Sequence, residues 1–182
     1  MYYLISIIKS ETAEKENNCI LTPLSETDFG DMRKLLSNEE VRKYLGGVRP
    51  FESSLNGLRN SIQADNEYPF TVRLLSENMF IGYVTIAPHH DPNDMEISYM
   101  FLPDYWGNGY AREAINFLLE ICKNELKLSR VVSETQSENM RSCHLLESLG
   151  YYAERSIARF GALQTIYVFN FTERWELYDE RV

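Results

Sequence analysis

Two glycines between a strand-like segment and a helix-like segment constrain this chain more than any other feature. Gly107 and Gly109 follow the apolar run Met95–Phe101 and precede a helical pattern that includes Ala111. Glycine has no Cβ, so a ligand can approach its backbone closely. The N–H groups of a first helical turn have no partner within the helix, and the helix dipole favours an anion there by about 0.3–1 kcal/mol. The junction predicts a phosphate or diphosphate site, and the alternative is a tight turn that binds nothing.

Two better-known glycine motifs do not fit this segment. The dinucleotide-binding fingerprint needs a third glycine where this chain has Arg112, and the P-loop needs a Gly-Lys-Ser/Thr sequence that the segment lacks. A nucleotide-binding domain therefore stays as an alternative, and it predicts stabilisation by NAD or ATP.

The same segment resembles motif A of the GNAT superfamily of acetyl-CoA-dependent N-acetyltransferases, Gln/Arg-x-x-Gly-x-Gly/Ala. Here it reads Asp104-Tyr105-Trp106-Gly107-Asn108-Gly109, with Asp104 in place of Gln or Arg. Residues 105–114 are similar to the branch that contains the ribosomal-protein N-terminal acetyltransferases. A second family pattern, Asn-x-x-Ser/Ala followed by Glu-x-x-Gly-Phe/Tyr, is matched from Asn139 to Tyr151. Two motifs at the right distance are more specific than either alone.

Hydrophobic periodicity predicts an α+β fold, with one domain over residues 1–182. Strands are expected at 19–24, 70–75, 80–87, 95–102, 130–134, 151–159 and 163–171. Helices are expected at about 25–37, 38–45, 53–64, 109–124 and 138–149. Residues 1–18 are interpreted as an N-terminal arm or strand, and residues 172–182 as a charged tail. The resemblance implies a mixed central sheet, flanked by helices, with splayed central strands.

Charge and cysteine content narrow the function classes. The chain has 182 residues and a net charge of −9, which argues against nucleic-acid binding because that needs a basic surface. Three scattered cysteines, Cys19, Cys122 and Cys143, are typical of reduced thiols in a cytoplasmic protein. We recognise no signal peptide and no membrane-spanning run. A cytoplasmic monomer or homodimer without membrane partners is expected.

The resemblance implies acetyl-CoA as cosubstrate and assigns residues to it. The diphosphate is expected on the backbone of Gly107, Asn108, Gly109, Tyr110 and Ala111, with Arg112 adding charge. The pantetheine arm is expected to pair with the backbone of Met100, Phe101 and Leu102 and to hydrogen-bond Asn139. The alternatives are a solvated helix residue for Arg112 and a plain first-turn residue for Asn139.

Glu96 is the candidate general base. In an alternating strand Glu96, Ser98 and Met100 share one face, which brings Glu96 near the expected thioester. At pH 7 the neutral amine costs about 4–5 kcal/mol for a lysine and about 1 kcal/mol for a chain terminus, so a terminal amine needs only a weak base. The alternative is an exposed strand glutamate.

Ser142 is the candidate acid for the leaving thiolate. The position of the family's usual tyrosine is Leu146, and Ser142 matches a serine proposed to replace it in some ribosomal-protein acetyltransferases. A thiol with a pKa of about 8.5 is already a fair leaving group, so a strong acid is not required. The alternative for Ser142 is a helix residue that bonds only backbone. Cys143 is interpreted as core and not as a covalent acetyl carrier.

A metal is not expected. His89-His90-Asp91 invites a metal site, but adjacent histidines rarely converge on one ion, and a surface turn or substrate-side loop is the interpretation. The function hypothesis is direct acetyl transfer to a primary amine, with a protein N-terminus as one acceptor and a polyamine or antibiotic as another. Asp104 and the missing tyrosine motivate a third reading, a CoA-binding sensor or interaction module with little turnover.

Overall fold

A seven-stranded mixed sheet organises residues 18–171, the part of the chain that this computed structural model describes. The predicted arm before residue 18 and the predicted tail from residue 172 lie outside the described residues. The strands are β1 (Cys19–Pro23), β2 (Tyr68–Leu74), β3 (Phe80–Pro88), β4 (Met95–Phe101), β5 (Arg130–Gln136), β6 (Tyr152–Arg159) and β7 (Ala162–Asn170). Their order across the sheet is β1-β2-β3-β4-β5-β7-β6. The predicted α+β class is confirmed.

Helices cover both faces of this sheet. They are α1 (Phe29–Leu36), α2 (Glu39–Arg42), α3 (Phe51–Gln63), α4 (Tyr110–Asn124) and α5 (Met140–Leu149). The expected helix at 25–37 is divided, because a short 3-10 turn at Glu26–Asp28 precedes α1. Between residues 18 and 171, no helix combines the length and apolar character that crossing a membrane requires.

Alternation along β4 separates the two layers of the core. Ile97 and Phe101 belong to one buried cluster with Ile115 of α4 and Leu146 of α5. Met100, on the other face of the strand, packs against a second cluster built from α1, α2 and the start of β3. One face of β4 therefore packs against α4 and α5, and the other face packs toward α1 to α3.

The sheet opens between β4 and β5. These neighbours are parallel and pair at one position, Glu96 with Val132. The antiparallel neighbours in the same sheet pair at between five and seven positions each. Beyond the pairing, the Ser133 hydroxyl donates to the Ile97 carbonyl oxygen at 2.7 Å. The two strands then diverge toward their C-terminal ends, which leaves one edge of β4 open next to the glycine loop.

Candidate active site

The glycine loop leads from β4 into α4, and its backbone explains both glycines. Gly107 has φ of +79° and Gly109 has φ of +86°, a left-handed region that other residues enter only with strain. A Cβ built at either position meets nothing within 4 Å. The conformation therefore demands glycine, and the space in front of the loop is open to a ligand.

The first turn of α4 supplies the donors for an anion. The first helical hydrogen bond runs from the Glu113 N–H to the Gly109 carbonyl at 3.0 Å, so the N–H groups of Tyr110, Ala111 and Arg112 precede it. Such groups point out of the helix end and favour negative charge. Together with the open glycine loop, this geometry fits a phosphate or diphosphate, as the sequence predicts.

Arg112 has a structural partner. Its guanidinium donates to the Ser148 carbonyl oxygen at 3.1 Å and to the Ser148 hydroxyl at 2.7 Å, which ties α4 to the end of α5. The side chain remains exposed, so its charge still contributes to the field at the start of α4. The structure therefore gives Arg112 a helix-packing role, and its predicted contact with a ligand stays a prediction.

Trp106 and Arg141 connect the glycine loop to α5, and the sequence analysis did not single them out as functional. The Trp106 Nε1–H donates to the Phe101 carbonyl oxygen at 2.8 Å. The Arg141 guanidinium lies over the Trp106 ring, 4.9 Å from its centroid. The contact places a cation near the glycine loop. The sequence alone does not predict this contact, because Trp106 and Arg141 are far apart in the chain and only the fold brings them together.

The open edge of β4 exposes different backbone groups from those expected. The Leu102 N–H donates to the Ile81 carbonyl oxygen at 2.9 Å, so it is directed at β3. Backbone groups alternate along a strand, so Met100 is directed at β3 as well, whereas Tyr99 and Phe101 face the opening. Of the three predicted pantetheine partners, Phe101 faces the opening, and Tyr99 joins it.

Asn139 caps α5. Its side-chain oxygen accepts the Ser142 N–H at 3.4 Å, and the helix ends at Gly150, which has φ of +95°. This is the first-turn role that the sequence leaves as the alternative. The Asn139 side-chain NH₂ is the group that a ligand in the opening would use, and that contact stays a prediction.

Glu96 is held within the protein and not on an exposed strand. Its Oε1 accepts the Ser98 hydroxyl at 3.1 Å and the Glu134 N–H at 3.3 Å. Burial raises the pKa of Glu96, and it outweighs the hydrogen bonds from the Glu134 N–H and the Ser98 hydroxyl and the nearby His89, which lower this pKa; the Glu134 charge adds a smaller rise. A glutamate with a raised pKa at the narrow end of the β4–β5 opening is a competent proton acceptor near neutral pH.

Glu134 and His89 form a buried pair behind Glu96. The His89 side chain is 1% exposed and the Glu134 side chain 7%, and Nε2 of His89 lies 2.9 Å from Oε2 of Glu134. The interpretation of His89 as part of a surface turn is therefore wrong. Among residues 18–171 no group of three or more potential metal ligands converges.

Tyr99 joins Ser142 on the other face of β4. The two hydroxyl oxygens are 2.7 Å apart, so Ser142 bonds a side chain as well as backbone. Burial raises the pKa of Tyr99 to about 12, which keeps the phenol protonated throughout the physiological range. Leu146, at the usual tyrosine position, is fully buried. The sequence analysis did not propose Tyr99 as a site residue, because the packing of β4 against α5 cannot be predicted from either segment alone.

The cysteines are unsuited to a covalent route. Cys19, Cys122 and Cys143 are all buried free thiols. Burial raises the pKa of Cys122 to about 12, so its thiolate is scarce at neutral pH. This agrees with the interpretation of Cys143 as a core residue.

The chain matches a known family of proteins and has similar relatives. The family model described as "Acetyltransferase (GNAT) domain" matches residues 18–152. The chain is similar to the uncharacterized N-acetyltransferase YnaD of Bacillus subtilis (strain 168), with 28% identity over 127 residues that cover 70% of this chain and 75% of the relative.

Two solved structures share the fold. An acetyltransferase of the GNAT family from Bacillus anthracis has a TM-score of 0.74 and 25% identity, covering 86% of this chain and 96% of that one. The spermidine N-acetyltransferase from Vibrio cholerae, solved with CoA and spermine, has a TM-score of 0.73 and 20% identity, covering 84% of this chain and 95% of that one. At that identity, the second likeness concerns the fold alone.

Proposed function

The chain belongs to the GNAT acetyltransferase domain family and is an N-acetyltransferase, and on that premise we propose that it transfers the acetyl group of acetyl-CoA directly to a small cationic primary amine. One observation carries the proposal. The β4–β5 opening has the open glycine loop and the start of α4, which suit an anion, at its wide end and a buried carboxylate, Glu96, at its narrow end. A donor and an acceptor can therefore meet between two sites of opposite character.

The residues at the wide end fit acetyl-CoA, which supplies the acetyl group as an activated thioester. The amides of residues 107–112 would hold its diphosphate, because they are open, glycine-rich and at a helix N-terminus. The backbone of Tyr99 and Phe101 would pair with the pantetheine arm as an added strand does.

Glu96 would accept the proton that the amine loses on attack. The cationic amine first releases one proton to solvent. The nitrogen of the neutral amine then forms a bond to the acetyl carbon, the carbon–sulfur bond breaks, and the second amine proton passes to the Glu96 carboxylate. A raised pKa brings the carboxylate nearer to that of the amine, which makes the transfer less uphill. Glu96 is thus the proposed base.

Ser142 would donate its hydroxyl proton or a hydrogen bond to the departing sulfur. The Tyr99 hydroxyl would donate to the Ser142 oxygen, because the two oxygens are 2.7 Å apart, and solvent would restore the proton that the pair gives to the sulfur. The phenol thus reaches the acid from β4, while the family's usual helix position holds Leu146. Ser142 is the proposed acid and Tyr99 its partner.

A small cationic acceptor is supported by charge. The chain carries a net charge of −9, and two carboxylates, Glu96 and Glu134, lie at the narrow end of the opening. The structural likeness includes an enzyme solved with spermine. A protein N-terminus is the second candidate, favoured by the resemblance of residues 105–114 to the ribosomal-protein N-terminal acetyltransferases.

An amine panel with a free-thiol readout tests the proposal. We expect CoA release from acetyl-CoA with spermidine or an aminoglycoside, and less with a peptide that has a free N-terminus. Glu96→Gln should lower kcat/KM by about 10²–10⁴-fold, the usual value of a general base. Glu120→Gln, which alters a carboxylate on α4 that bonds Asn124, should leave it unchanged. CoA binding without thiol release on any amine would instead identify a sensor module.

A further inference from the structure

We propose that Glu134 and His89 are positioning residues for Glu96, which hold its carboxylate in place and keep a fixed negative charge beside it. The inference rests on the proposed role of Glu96 as the base and adds two residues to that site. Neither residue belongs to the two sequence motifs.

Glu134 meets Glu96 where the sheet begins to open. The Glu134 N–H donates to Oε1 of Glu96 at 3.3 Å. Glu134 lies two residues after Val132, the residue of β5 that pairs with Glu96. Side chains two apart on a strand share a face, so the Glu134 side chain lies on the face of Val132. Val131, the residue before Val132, lies on the opposite face and packs in the buried cluster that includes α4. The two carboxylates therefore share the same side of the sheet.

The Glu134 carboxylate has a neighbour at each of its two oxygens. Its Oε2 is 2.9 Å from Nε2 of His89. Its Oε1 is buried and accepts no hydrogen bond from any residue in the range 18–171, although Nε of Arg159 lies 3.5 Å away. A buried carboxylate of this kind exerts a stronger field than one in water.

The backbone fixes the His89 tautomer. The Asp91 N–H donates to Nδ1 of His89 at 3.1 Å, so Nδ1 is an acceptor and carries no proton. Nε2 then carries the N–H that is donated to Glu134. We therefore assign Nε2 of His89 as the donor that orients the Glu134 carboxylate.

Three further groups interact with the Glu96 carboxylate. They are the Ser98 hydroxyl on β4, the Tyr151 phenol before β6, and Arg159 on β6. Arg159 opposes Glu134, because its positive charge favours the ionised form of Glu96. Arg159 is itself held by two hydrogen bonds to Asp91, at 2.8 and 3.0 Å. Burial and the Glu134 charge thus raise the pKa of Glu96, whereas the Glu134 N–H, His89 and the Ser98 hydroxyl lower it.

Two substitutions with opposite expected signs test this assignment. The pH dependence of kcat/KM should show an acidic limb that follows Glu96. Glu134→Gln removes the like charge and should displace this limb to lower pH. Arg159→Gln removes the opposite charge and should displace it to higher pH. Glu154→Gln, a control in the neighbouring ion pairs with Arg130 and Arg155, should leave it in place.

A carboxyl ¹³C NMR titration of the glutamate-labelled protein provides a readout independent of turnover. The Glu96 signal is identified by its loss in Glu96→Gln, and its midpoint should move as the limb does. A midpoint that stays fixed in both charge variants would overturn the inference, as would movement in one direction for both. Turnover that survives Glu96→Gln would instead refute Glu96 as the base. If Glu134→Gln does not fold, Glu134→Asp, which withdraws the carboxylate by one methylene from the place where His89 holds it, should displace the limb in the same direction, and an unmoved limb would overturn the inference.

Discussion

At the scale of the residue, Tyr99 shows how a side chain with a core-like pattern can belong to a site. It is an aromatic residue on an amphipathic strand, and such residues usually serve packing. Its hydroxyl nevertheless contacts Ser142 at 2.7 Å across the interface between β4 and α5. A buried hydroxyl needs a partner, and here the partner is the proposed acid.

Removing this contact has a predictable cost. Tyr99→Phe should lower kcat/KM about two- to twelvefold, the value of one hydrogen bond of about 0.5–1.5 kcal/mol. Ser142→Ala should cost at least as much, and the double variant should cost less than the product of the two, because the residues act together. Steady-state kinetics with the free-thiol assay measures all three.

Tyr167→Phe is the matched control for that series. It removes a hydroxyl that also contacts α5, donating to Glu147 at 3.1 Å, but at a different place. The control should retain wild-type kcat/KM. Equal losses in the control and in Tyr99→Phe, or fully multiplicative effects in the double variant, would contradict a shared proton path.

Residue patterns predicted Glu96 and Ser142 as candidates, but not their partners. Strand alternation places Glu96 on a face, and the motif places Ser142 on a helix. His89 and Glu134 meet only because the β3–β4 turn folds toward β5, a contact between residues 45 positions apart. A local pattern carries no information about such a contact.

At the scale of the element, Gly82 fixes the distance between β3 and β4. Gly82 is the register partner of Phe101, and a Cβ built there lies 2.6 Å from Cδ1 of the Phe101 ring and 2.8 Å from the Met100 carbonyl oxygen. The ring therefore packs directly over the glycine. Any side chain at this position would push β4, the strand that lines the opening, away from β3.

Gly82→Ala should therefore destabilise the protein by about 1–3 kcal/mol, the usual cost of overpacking a core. Gly57→Ala is the opposite control, because Gly57 lies within α3 and its Cβ would meet nothing within 4 Å. It should stabilise the protein by up to about 1 kcal/mol through helix propensity. Urea denaturation measures both, and a Gly82→Ala variant as stable as the wild type would contradict the described packing.

Most elements were predictable because their signals are local. The buried stripe of α4 and the Gly150 end of α5 follow from helical periodicity and from a glycine at the helix terminus. The first helical segment was predicted too long. Polar side chains compete for the backbone hydrogen bonds of the helix in this segment. The Asp28 carboxylate, for example, accepts the Ser25 N–H at 2.9 Å within the 3-10 turn.

At the scale of the whole molecule, the topology brings the two halves of the site together. The parallel contact of β4 with β5 opens toward the glycine loop, and β7 and β6 continue the sheet beyond β5. The β3–β4 turn is tied to β6 through Asp91, which accepts hydrogen bonds from Arg155 and Arg159. The narrow end of the opening is thus braced by strands that are distant in sequence. The family resemblance implied the opening, whereas the bracing required the structure.

A crystal structure with CoA bound tests the central claim most directly. We expect the diphosphate oxygens within hydrogen-bond distance of the amides of residues 107–112, and the pantetheine arm alongside the backbone of Tyr99 and Phe101. The thiol should then lie between the Ser142 hydroxyl and the Glu96 carboxylate. CoA bound outside the β4–β5 opening, or an opening that takes NAD or ATP and not CoA, would contradict the account.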